Sequence, residues 1–138
     1  MYATVADLVT RFGERELIDL TDKGDDSVGV VVPAVAEAAI ADACGEADGY
    51  LGVRYRLPIA APVPVMLVAA VCDIARFRLY DNRATEEVRK RYDDAVRWLR
   101  DVSRGVAVLP GADTTGSAGA ALVEVVRPGR KLFGGGLR

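Results

Sequence analysis

Histidine is absent from all 138 residues. No Ser–His–Asp triad, imidazole base or histidine metal site can be built from this chain. Cysteine occurs only as Cys44 and Cys72, too few for a disulfide framework or an all-cysteine zinc site. Both lie in apolar, helix-like stretches and read as small core side chains in a reducing compartment. No long uninterrupted hydrophobic run is present. The longest apolar stretch, Leu57–Val71, lacks charge but carries three prolines and is soon followed by Asp73, too short and too interrupted to span a bilayer. No secretory pattern opens the sequence, so export is not expected. Net charge is only −2, which argues against a nucleic-acid binder driven by overall charge.

What is present suits one globular domain. Hydrophobic residues make up 51% and charged residues 28%, and a chain of this length supports one core without staples. Charge is unevenly spread. Residues 1–50 hold 11 acidic and 3 basic side chains, residues 51–104 hold 7 and 11, and residues 105–138 hold 2 and 4. Such polarity either mixes on a solvated surface or lets copies meet head to tail.

Helical signals dominate to residue 105. Thr4 and Asp7 form an acidic capping box and Gly13 closes that short helix, with Glu14–Leu20 adding a turn or two. Thr21–Gly29 reads as a loop. Pro33 suits the first position of a long helix over about 33–52, whose Ala36, Ala39, Ile40, Ala43 and Ala47 form a small-residue stripe. Gly45 and Gly49 weaken that helix by about 1 kcal/mol each relative to alanine, and read as marks of close helix contact. The Pro-rich stretch Arg54–Pro64 excludes a regular helix. A helix over about 63–81 is apolar nearly all round, the signature of a buried central element. Thr85 caps the last helix, about 85–104, where Val88, Tyr92, Ala95, Leu99 and Val102 repeat at helical spacing. Beyond it, 106–119 reads as a flexible linker and 120–138 as an extended arm, with strand propensity in Ala120–Val126. The predicted class is all-α: a compact bundle of three long helices and one or two short N-terminal ones, with residues 1–105 as the domain.

Candidate chemistry is sparse. Asp93 and Asp94 sit among Arg89, Lys90, Arg91 and Arg97 as ordinary helix-surface pairs. Asp22, Asp25 and Asp26 make an acidic loop without calcium-loop spacing. Gly134–Gly136 is no phosphate loop, and Ser103 and Ser117 have no base in reach. Asp73 is the odd carboxylate, set in a buried helix. It calls for an ion pair with Arg76, Arg54 or Arg56 that fixes helix register. The tail is the strongest functional candidate. Arg127, Arg130, Lys131 and Arg138 alternate with Leu132, Phe133 and Leu137, a pattern that either docks in a partner's groove or folds back on its own domain.

Four ordered motifs carry a family resemblance. They are Met1-Tyr-Ala-Thr-Val-Ala-Asp-Leu8 with Phe12-Gly-Glu-Arg-Glu-Leu-Ile-Asp-Leu-Thr-Asp22, Asp48-Gly-Tyr-Leu-Gly-Val-Arg-Tyr-Arg-Leu-Pro58, Cys72-Asp-Ile-Ala-Arg-Phe-Arg-Leu-Tyr-Asp81, and Arg83-Ala-Thr-Glu-Glu-Val-Arg-Lys-Arg-Tyr-Asp-Asp-Ala-Val96. Together, over roughly residues 1–105, they resemble the Mu-like prophage head-completion proteins, a head–tail connector family. The resemblance implies a non-enzymatic structural protein without cofactor. It would form a homo-oligomeric ring beneath the portal protein, pass DNA without reading its sequence, and present a surface to the next tail-completion protein. Its place would be the virion's head–tail junction, and the bacterial cytoplasm during assembly, with no membrane. The tail, Arg127 to Arg138, would dock the portal. The charge split would serve lateral ring contacts, with Asp42, Glu46 and Asp48 facing Arg89, Arg97 and Arg100. Two rivals stay open: a small DNA-binding regulator using the Arg-rich last helix, and a small enzyme built on Asp73 and Arg76.

Overall fold

The computed structural model describes residues 1–115. Five α-helices follow one another: α1 Val5–Phe12, α2 Glu14–Thr21, α3 Pro33–Leu51, α4 Val65–Tyr80 and α5 Glu86–Ser103. Among the described residues there is no strand longer than a single bridge, so the chain is all-α as its periodicity predicts. The strand propensity of Ala120–Val126, residues 116–119 and the 120–138 arm fall outside the described residues.

The local signals explain the element ends. Asp7 N–H donates to Thr4 Oγ1 at 3.1 Å, and Thr4 N–H donates to Asp7 Oδ2 at 2.9 Å. This reciprocal box satisfies two otherwise orphaned donors. Gly13, at φ +93°, makes the sharp corner between α1 and α2 that a residue with a side chain adopts only under strain. Pro33 occupies the first turn of α3. Val88 N–H donates to Thr85 Oγ1 at 3.2 Å to start α5. In the loop before α3, Asp22 accepts from Gly29 N at 2.7 Å and Val28 N at 3.0 Å. The hydrogen bond from Gly29, joined by those from Ser27 and Val28, outweighs desolvation and holds its carboxyl below the usual range.

Burial sets the arrangement. α4 hides Leu67, Ala70, Val71, Cys72, Ile74, Ala75 and Leu79 and packs against all four other helices. α3 meets it through Ala36, Ala39, Ile40, Ala43 and Ala47, small side chains that let the axes approach. α5 supplies Val88, Ala95, Leu99 and Val102. The expectation of close contact at Gly45 and Gly49 fails: a Cβ at either would meet no atom within 4 Å. They lie away from the packed face, and the alanines alone carry the approach. Both cysteines are buried and free. Burial pushes the Cys72 thiol up to about 12, so it stays protonated as a core side chain.

The segment after α5 departs from the flexible-linker reading. Leu109 is 1% exposed, and its N–H donates to Tyr55 Oη at 3.0 Å. Arg56 N donates to Asp113 O and Thr115 N to Arg54 O, both at 2.8 Å, around an antiparallel bridge between Tyr55 and Thr114. A Gly-, Ala- and Thr-rich composition suggested freedom, but one buried leucine, the Tyr55 hydroxyl and two backbone hydrogen bonds pin residues 106–115. Gly105 permits the reversal, with φ +80° and Arg54 Nη1 only 3.0 Å from where a Cβ would stand.

Leu109→Ala is expected to cost about 2–4 kcal/mol in urea unfolding. Val106→Ala, three residues earlier and exposed, is expected to stay within about 0.5 kcal/mol of wild type. Equal, negligible effects of the two would restore the linker reading.

Candidate functional site

The polar side chains predicted to act together are distributed differently in space. Arg76 does not pair with Asp73. Its guanidinium takes Glu16 of α2, with Nε to Oε2 at 2.6 Å and Nη2 to Oε1 at 3.1 Å, and lies 4.3 Å above the Phe12 ring. A bidentate, aromatic-backed partner outcompetes a carboxylate one turn back on the same helix. Burial opposes the guanidinium's charge, but the hydrogen bonds and charge of Glu16 outweigh it and raise its proton affinity. Arg54 is exposed and lies against Gly105. The register-fixing ion pair is therefore Glu16–Arg76, which ties α2 to α4.

Asp73 is left half-buried, with no hydrogen bond or ion pair among the described residues. Burial pushes its carboxyl above the usual range, against the opposing pull of Arg91, Arg76 and Arg11 at a distance. Sequence reasoning found the unusual carboxylate but not its isolation. The true partner of Arg76 lies 60 residues away, and no local spacing signals it.

Four of the six proposed lateral-contact residues have a partner inside the subunit. Glu46 accepts from Arg78 Nη2 at 2.8 Å and from Tyr92 Oη at 2.7 Å. Tyr92 stacks on Phe77, with ring centroids 4.1 Å apart, and Arg89 covers the same Phe77 ring at 5.4 Å. Asp48 accepts from Tyr2 Oη at 2.6 Å, while that oxygen accepts from Ile59 N at 3.1 Å. These contacts knit α3, α4, α5 and the N-terminus together. Arg97 is exposed and pairs with Asp94 at 2.8 Å. Asp42 and Arg100 are exposed, without an ion pair among the described residues. Arg127, Arg130, Lys131, Leu132, Phe133, Leu137 and Arg138 lie outside the described residues.

Exposed apolar side chains gather where α3 ends, α4 begins and α5 ends. Val53, Val65, Met66, Val106 and Val108 are exposed in the segments that meet there. Two recesses each include Met66 in their lining. One, of about 440 Å³, is walled by Pro62, Val63, Pro64, Val65, Met66 and Pro110. The other, of about 130 Å³, is a slot between α4 and α5 lined by Met66, Ala69, Ala70, Asp73, Asp94, Ala95 and Trp98. Alanines facing alanine leave that slot unfilled. Sequence reasoning missed this end of the molecule. Its signal, valines beside prolines and glycine at both ends of the bundle connections, was read as connection chemistry alone. At the opposite side, the Glu16–Arg76 pair flanks an open cleft of about 660 Å³ that also includes Arg15, Asp19, Tyr80 and Arg83. Its charges are mixed in sign.

Comparison with known proteins adds a lineage. The family model described as Bacteriophage Mu, Gp36 matches residues 2–126. The chain is 39% identical over 127 residues to Gene product J of Escherichia phage Mu, covering 90% of this chain and 88% of that protein. It is also 39% identical over 94 residues to the Mu-like prophage FluMu protein gp36 of Haemophilus influenzae, covering 66% of each.

Two outcomes follow from this geometry. Burial first, then the hydrogen bond to a carboxylate, pushes the Tyr2 and Tyr92 phenols up to about 12, against about 10 in an unfolded chain. The unfolded state releases these protons first, so their contribution to stability is full below about pH 10 and is lost as pH rises toward about 12. A phenolate absorbance titration of the folded protein is expected to show Tyr2 and Tyr92 ionising late, with alkaline unfolding over that window. Glu16→Gln is expected to cost about 2 kcal/mol, the scale of a charged hydrogen bond, while Asp73→Asn keeps a cooperative thermal transition. Unfolding of the Asp73→Asn chain would reinstate Asp73 as the structural partner.

Proposed function

The chain belongs to the Bacteriophage Mu, Gp36 family, and from that membership we propose that it is a head–tail connector of a Mu-like phage or prophage. In this reading it is a structural protein of virion assembly, with no reacting centre. It forms a ring beneath the portal, completes the head and extends the channel through which DNA passes unread. Its arm, with Arg127, Arg130, Lys131 and Arg138 as cations and Leu132, Phe133 and Leu137 as anchors, docks a portal crevice. Neighbouring subunits meet through unlike faces, for which Asp42, Arg97 and Arg100 remain outward-facing. The free end of the ring receives the next tail-completion protein. The working location is the head–tail junction, reached from the bacterial cytoplasm during assembly.

One observation carries the reading. The family match spans residues 2–126, the whole bundle and its return segment. The chemistry of the surface supports it. Two ion pairs, Glu16–Arg76 and Glu46–Arg78, join helices, and a conspicuous exposed feature is an apolar end suited to protein contact. The DNA-binding rival is weakened by α5 itself. Arg91 pairs with Glu87, and Lys90 and Arg97 share Asp94, leaving a charge-balanced face rather than a phosphate-binding stripe.

Deleting residues 127–138 is expected to leave a folded domain by circular dichroism and to abolish co-sedimentation with the portal. Negative-stain images of the intact chain mixed with portal are expected to show added ring density below it. Undiminished portal binding by the deletion variant would remove the arm from the mechanism, and absence of any portal complex with the intact chain would remove the connector reading.

A further inference from the structure

Exposed apolar side chains are not scattered over this molecule. Ten large ones face solvent among the described residues, and all except Met1 lie at one of two places. Val28, Val30 and Val35 stand where the chain enters α3. Val53, Leu57, Val65, Met66, Val106 and Val108 stand where it leaves α3, where α4 begins and where α5 ends. The 19 residues of α3 separate the two places, a span of about 28 Å, so they occupy opposite ends of that helix. Lone exposed valines are ordinary, but apolar side chains gathered this way mark protein contacts.

Both groups stand on backbone that is already fixed. Asp22 accepts from Ser27 Oγ, Val28 N and Gly29 N, and Val32 N donates to Thr21 Oγ1. These bonds hold the segment that carries Val28 and Val30. At the other end, the Tyr55–Thr114 bridge and the bond from Leu109 N to Tyr55 Oη hold the segments that carry Val53, Val106 and Val108. A surface ordered beforehand loses little freedom on binding.

Their borders carry opposite charge. Near the first group Asp25, Asp26 and Glu37 are exposed, with no ion pair among the described residues, while the ammonium of Lys23 is turned to Leu79 O. Near the second, Arg54, Arg56, Arg100 and Arg104 are exposed, also with no ion pair among the described residues, against Asp101 and Asp113. Two copies meeting through the same end would bring like charges together. Meeting through unlike ends pairs opposite charges around an apolar centre.

We propose that these two ends meet between copies of the chain. The Val28, Val30 and Val35 face of one copy seats on the Val53, Val106 and Val108 face of the next, with Asp25, Asp26 and Glu37 opposite Arg54, Arg56 and Arg104. The contact is heterologous, so every copy in it keeps a second, unlike face for a further copy. It adds apolar anchors to the outward-facing Asp42, Arg97 and Arg100. As the lateral contact of a ring it rests on the connector reading. As a contact between copies it stands without it, and its test contains no portal, so the two fail separately.

Crosslinking reads which ends meet. Cys44 and Cys72 are buried, whereas Val28 and Val106 are 73% and 74% exposed, so Val28→Cys and Val106→Cys each add one accessible thiol. With a short bismaleimide, an equal mixture of these two full-length variants is expected to yield severalfold more crosslinked pair than either variant alone at the same total concentration. Arg54→Glu with Arg56→Glu, placed in the Val106→Cys chain, is expected to lower that yield severalfold. Asp25→Lys with Asp26→Lys, placed in the Val28→Cys chain, is expected to restore it, which a folding defect in either chain would not do. A mixture that crosslinks no better than the separate variants overturns the proposal. So does a variant that crosslinks best with itself, because like ends then meet, and so does a yield indifferent to both charge reversals.

Discussion

The constraint from which the architecture follows is the composition of α4. A helix apolar on nearly every side has no face to give to water, so it must be enclosed. Three different surfaces enclose it. α3 offers alanines and comes close, α5 offers a stripe of larger aliphatics, and α1 with α2 closes the remaining side. The short N-terminal helices are too small to be stable alone, and their burial against α4 is what orders them.

Enclosing α4 forces a decision about its charges. Arg76, Arg78 and Asp73 all project from a helix that is being covered. The two arginines find carboxylates on other helices, Glu16 and Glu46, at 2.6 and 2.8 Å. Each pair is a long-range tie with directional geometry, so it sets how the helices sit as well as holding them. Asp73 has a shorter side chain and faces the thin, alanine-lined gap between α4 and α5. It cannot reach outward as an arginine does, and it stays unanswered. The same small residues that permit close helix approach thus create both the slot and the lone carboxylate at its end.

The apolar end of the bundle has a related origin. Connections between helices that begin and end there run through Pro62, Pro64, Gly105 and Pro110, and backbone conformation dictates much of their course. Leu109 and Tyr55 turn inward and are satisfied. Val53, Val65, Val106 and Val108 are left outside by alternation along the same segments. The proposed connector role would use such a surface to touch other proteins. On the bundle's flanks, Glu16, Glu46, Arg76 and Arg78 are committed to contacts between helices.

By itself the sequence determined what depends on neighbours a few positions apart. The capping box at Thr4, the N-cap at Thr85, the helix start at Pro33, the corner at Gly13, the alanine stripe of α3 and the buried character of α4 are local or periodic, and helical geometry turns each into structure directly. The family motifs were legible for the same reason, being short ordered strings. Tertiary structure alone decided who meets whom. Glu16 meets Arg76 across 60 positions, Glu46 meets Tyr92 across 46, and Tyr55 meets Leu109 across 54. Each pairing follows from helix packing geometry and side-chain reach, which depend on the summed volumes of all the buried residues and leave no mark in the spacing of any two. That is why an ion pair expected within one turn of α4 formed elsewhere, and why a stretch with a linker's composition lies pinned against the fold.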